Sequence, residues 1–127
     1  MSVVVRTLVP GVNLVRQVRR FLAEELGPGS EGMIWLMAVM AQEILDSGGD
    51  PWRLSLVRMG RHATTSVDYR PPISADEAWK PVLSAGVVAL LGEVSTQWQH
   101  TAREPRGVMT VWVELRLGDH PSEWGCR

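Results

Sequence analysis

From Ser30 to about Asp46 the chain places Met33, Ile34, Leu36, Met37, Val39, Met40, Ile44 and Leu45 around nearly the whole circumference of a helix. A helix that is apolar on most sides must be covered on most sides, so the rest of the chain has to supply packing layers around it. Ser30 stands where it can cap that helix, and Ser47-Gly48-Gly49-Asp50-Pro51 ends it. Immediately afterwards the period changes. Residues 52–59 set Leu54 and Leu56 against Arg53 and Ser55, the alternation of a strand with one solvated face. Gly60-Arg61 makes a tight turn, and residues 62–69, HATTSVDY, return as the second strand of a hairpin.

The remaining segments fit around this centre. Residues 2–9, SVVVRTLV, read as an opening strand closed by Pro10-Gly11. From Asn13, a candidate N-cap, Val15, Val18, Leu22 and Leu26 recur at helical steps, with Arg16, Arg19, Arg20, Glu24 and Glu25 on a wet face. Residues 70–83 carry three prolines and read as a long surface loop with one helical turn around 75–79. Residues 85–98 return to a helical pattern through Val87, Leu90, Leu91 and Val94, and 103–107 read as a polar turn. The final strand, 108–117, alternates Met109, Val111, Val113, Leu115 and Leu117 against Thr110, Trp112, Glu114 and Arg116. The expected fold is an α/β (α+β) two-layer sandwich, with a mixed, mostly antiparallel sheet and helices on one face. Residues 1–117 form its single domain and 118–127 a flexible tail.

Composition narrows the function. A chain of 127 residues with 45% hydrophobic and 21% charged residues is an ordinary globular sequence with one core. Its formal net charge of -1 gives no broad attraction to phosphate backbones or anionic lipid, so neither nucleic acid nor membrane is the expected partner. The single cysteine, Cys126, allows no intrachain disulfide and no thiolate cluster, and no segment has the run of a secretory signal or a membrane span. A cytoplasmic location is expected. Six tryptophans accompany one Phe and one Tyr, and the Arg-rich, Lys-poor balance reads as a high-GC codon effect.

Several stretches resemble the GHKL (Bergerat, histidine-kinase-like) ATPase fold, and within it the small actinobacterial regulators similar to anti-sigma factor serine kinases. VPGVNLVRQVRRFLAEELG resembles the family's first strand, turn and arginine-studded helix. LMAVMAQEILDSGGDPWRLSLVRMG resembles its second helix, turn and strand. SVDYRPP sits where the family has a Val-x-Asp-x-Gly-x-Gly turn, VALLGEVSTQW resembles the helix after the nucleotide lid, and RGVMTVWVELRL resembles the closing strand. The departures fall on the ATP-handling positions. Registered on Ser47-Gly48-Gly49, the chain has Ala38 where the family has its general-base Glu, and Gln42 where it has its magnesium-ligating Asn. Asp68 stands at the adenine-reading Asp, but Tyr69-Arg70-Pro71-Pro72 replaces the flexible glycines. The phosphate-cradling glycines are reduced to Gly86.

The resemblance therefore implies that ATP and magnesium binding are lost, leaving no cofactor, no metal and no catalytic residues. The expected function is a non-catalytic, anti-sigma-like regulatory module, a pseudoenzyme. Its partner would be a sigma factor, an anti-anti-sigma type protein or a second copy in a homodimer. The alternative is a former nucleotide pocket that binds or converts a small apolar metabolite in a secondary-metabolism pathway, lined by Gln42, Asp68, Tyr69 and Gly86 with Trp79 in the lid. His62, His100 and His120 are isolated in sequence and read as surface or turn residues. Glu43 reads as a half-buried acid paired with an arginine of the first helix. Met33, Met37 and Met40 read as core packing, and exposed Trp112 as part of a contact surface or ligand wall.

Overall fold

The computed structural model describes residues 2–9, 13–27, 30–71, 83–103 and 108–116. In chain order these form β1 (Ser2–Thr7), α1 (Leu14–Leu26), α2 (Glu31–Asp46), β2 (Asp50–Met59), β3 (His62–Arg70), α3 (Ala85–Val94), β4 (Gln97–Arg103) and β5 (Val108–Arg116). The five strands make one sheet in the order β1-β2-β3-β5-β4, and every neighbouring pair is antiparallel. The helices lie on one side of it, the two-layer α+β sandwich expected from the pattern of elements.

Alternation along each strand decides which side chains meet the helices. Leu54 and Leu56 of β2, Ala63, Thr65, Val67 and Tyr69 of β3, and Val111, Val113 and Leu115 of β5 are buried on the helix side. They join Val18, Phe21 and Leu22 of α1, Met37, Met40 and Ile44 of α2, and Val87 and Leu91 of α3 in one core. The helix α2 contacts both α1 and α3 as well as β2 and β3, which is why its sequence is apolar on most sides.

The β2–β3 hairpin turns at Gly60-Arg61 between the paired residues Met59 and His62. Gly60 alone of the two has positive φ, at 56°, which suits the twist of a two-residue hairpin. A second glycine is fixed by space. A Cβ on Gly49 would lie 2.9 Å from Ile44 Cγ2 and 3.0 Å from the Ile44 carbonyl oxygen, so the turn from α2 into β2 closes only with glycine there.

Three expectations change. Residues 97–98 do not continue the third helix: α3 stops at Val94, where Ser95 is already extended, and Gln97–Arg103 forms edge strand β4. Asn13 holds the N-cap position of α1 in the left-handed region, φ 54°, but its side chain makes no capping bond. Ser30 makes none to α2 either. The helical turn around 75–79, the turn beyond Arg103 and the tail fall outside the described residues.

Candidate functional site

Asp68 is fully buried, yet it lies on the face of β3 turned away from the helices, opposite in parity to Val67 and Tyr69. It stands directly across from Arg53 of β2 and Thr110 of β5. Arg53 donates to its Oδ2 from Nε at 2.7 Å and from Nη2 at 2.5 Å, while the Thr110 hydroxyl donates to Oδ1 at 2.5 Å. The carboxylate is therefore held by charge-assisted bonds from both neighbouring strands. The register shift between Pro51 and Arg53 adds Trp52 to β2 beside this row. The Arg53 guanidinium lies 4.7 Å and that of Arg70 5.7 Å from the Trp52 ring centroid, and Arg70 pairs with Asp50 at 3.2 Å.

Tyr69 points the other way, into the core, where its hydroxyl is hydrogen-bonded to His100 Nε2. His100 comes from β4 and is half-buried, so it is neither a surface nor a turn histidine. Burial pushes the Tyr69 pKa well above its ordinary value and pulls the His100 pKa below its own. At neutral pH the pair is a neutral phenol and a neutral imidazole, and the imidazole tautomer sets which of the two donates.

The other expected pocket residues stand apart from these two. Gln42 donates to Asp46 at 2.8 Å, one turn along α2, on the stripe that also carries exposed Trp35. Gly86 lies exposed in the first turn of α3, with only Ser84 Oγ, at 3.9 Å, near an added Cβ. Trp79 lies outside the described residues. Asp68, Tyr69 and Gln42 thus point to three different environments: the outer sheet face, the core and the outward stripe of α2.

Glu43 pairs with the start of α3 rather than with an arginine of α1. Its Oε1 accepts from the Ser84 backbone N–H at 2.7 Å and its Oε2 from the Ser84 hydroxyl at 2.7 Å. Ser84 Oγ in turn accepts from the Val87 N–H at 3.2 Å, so one carboxylate ties α2 to the N-cap of α3. Among the described residues, no group of three or more His, Cys, Asp or Glu side chains is placed to hold a metal ion.

An open groove of about 1010 Å³ runs between α1 and the start of α2. Arg16, Arg19 and Arg20 line it, with Glu31, Ile34 and Trp35 across from them. Among the described residues none forms an ion pair with these arginines. Trp35 is 54% exposed, the one large hydrophobic side chain of α2 left in water. The arginines are legible in sequence as the wet face of α1. Trp35 is not, because the helix is apolar all round and only the positions of α1 and α3 decide which stripe stays uncovered.

No known family model matches the chain, and no curated protein matches it either. No described helix is long and apolar enough to cross a membrane.

Proposed function

We propose that this protein is a non-catalytic, cytoplasmic protein-binding module that docks an acidic segment of its partner into the groove between α1 and α2. The observation that carries this reading is the juxtaposition of Arg16, Arg19 and Arg20 with exposed Trp35. Arginine and tryptophan are the residues most enriched among interface anchors, since each combines apolar area with directional polar groups. Three guanidiniums against the single carboxylate of Glu31 favour an acidic partner over a basic one.

Asp68 supports the loss of nucleotide reading. Its carboxylate lies on the sheet face away from the helices, where Arg53 engages one oxygen and Thr110 the other, so it ties three strands together instead of facing the helix layer. This agrees with a degenerate histidine-kinase-like module of anti-sigma type, in which partner docking outlasts catalysis. The small-ligand alternative has one observation in its favour, the Tyr69–His100 pair on the helix side of the sheet.

A test uses an amphipathic helical peptide with glutamates along one face and leucines along the other, titrated into the protein by calorimetry. We expect binding that weakens as salt is raised, and that falls at least tenfold in Arg16→Glu/Arg19→Glu and in Trp35→Ala. Equal affinity for all three proteins would overturn the groove as the docking site.

A further inference from the structure

The order of the sheet leaves two edges, β1 and β4, and they are built differently. β4 reads QWQHTAR, with glutamines, a histidine and an arginine along a short strand. β1 reads SVVVRT and carries no lysine, no proline and no bulge; of the usual defences of an exposed edge it keeps its short length and one inward-pointing charge. Its one charge, Arg6, points to the helix side, where its guanidinium lies 5.3 Å from the Phe21 ring centroid and 3.9 Å from Glu24.

Hydrogen bonding shows which backbone groups face outward. The Leu8 N–H donates to the Trp52 carbonyl at 2.8 Å, continuing the β1–β2 register. Because bonded and non-bonded positions alternate along an antiparallel pair, Arg6, Val4 and Ser2 also turn their backbone toward β2. Val3, Val5 and Thr7 therefore turn theirs to the free edge. Val9, the next in that series, is already satisfied: the Gln17 side chain accepts from its N–H at 3.0 Å and donates to its carbonyl at 2.7 Å. Among the described residues nothing does the same for Val3, Val5 or Thr7. Val3 and Val5 also expose 56% and 54% of their surface on the face away from the helices.

We infer that β1 pairs antiparallel with β1 of a second copy, across a two-fold axis at Val5, joining the two sheets into one. A strand is its own complement in this arrangement. Val5 faces Val5 of the partner subunit, and Val3 and Thr7 face Thr7 of the partner subunit and Val3 of the partner subunit, so every outward N–H and C=O between them is met. Arg6 falls opposite Val4 of the partner subunit, so no like charges oppose each other, and the outward valines of the two chains form one apolar strip. The register keeps like faces together, so both helix layers lie on the same side of the joined sheet.

This surface is separate from the α1–α2 groove, and either can fail without the other. Sedimentation velocity on the full chain at micromolar concentration should give twice the mass of one chain. Val5→Lys sets two ammonium groups against each other across the axis while leaving an exposed position of the monomer intact; it should weaken dimerisation at least tenfold, with a melting temperature equal to the wild type's at dilutions where both are monomeric. In a Cys126→Ser background, Val5→Cys should form an intermolecular disulfide on mild oxidation, because facing Cα atoms in such a pair lie about 5.5 Å apart. A wild-type chain that stays monomeric overturns the inference and leaves the edge to residues 117–127 or to a strand of another protein. A dimer that Val5→Lys does not weaken, or that Val5→Cys does not cross-link, overturns it as well.

Discussion

Asp68 carries the residue-scale argument, because a buried carboxylate is costly unless its partners are complete. Arg53→Met removes the guanidinium paired with that buried charge, and should destabilise the protein by about 3 kcal/mol in urea unfolding. The double variant Arg53→Met/Asp68→Leu should recover most of the loss, since an apolar pair needs no desolvated charge satisfied. A double variant no more stable than Arg53→Met would show that the row is not held together in this way. His100 makes a pH-dependent contribution of determinable sign. Its folded pKa lies below the ordinary 6.5, so on acidification the unfolded chain takes up a proton that the folded chain refuses. Stability should therefore fall as pH drops through 6.5 toward the folded pKa, and His100→Gln should flatten that fall in melting curves. The raised Tyr69 pKa works at the other end, removing stability only above its ordinary value of 10.0.

At the scale of elements, what the sequence disclosed and what it hid divide by the range of the interactions. The β2–β3 hairpin was legible because Leu54 and Leu56 alternate with Arg53 and Ser55 and Gly60-Arg61 marks the turn, a local signal with a local cause. β4 was not. Its inward positions are Trp98, His100 and Ala102, opposite Val113, Val111 and Met109, and a strand with one large apolar residue among glutamines scarcely departs from a helix end. Ser95 and Thr96 supplied the only break. The Arg53–Asp68–Thr110 row was hidden for a further reason: it depends on the register of three strands and on the shift at Trp52, which no local pattern encodes. Likewise, Glu43 was legible as an acid needing a partner, but the partner arrives from Ser84, far along the chain.

For the whole molecule, the sheet divides the chemistry into separate places. Its outer face holds the Arg53–Asp68–Thr110 row, its inner face the Tyr69–His100 pair, and the helix layer presents the Arg16–Trp35 groove. On the proposed reading, the residues that the resemblance sets at nucleotide-handling positions are structural, and recognition belongs to the helices. The most direct test is calorimetric titration of ATP with magnesium into the unmodified chain and into Asp68→Asn. The account predicts no saturable heat from either. Micromolar binding by the unmodified chain that is lost in Asp68→Asn would contradict it, because Asp68 would then be reading a purine rather than holding Arg53.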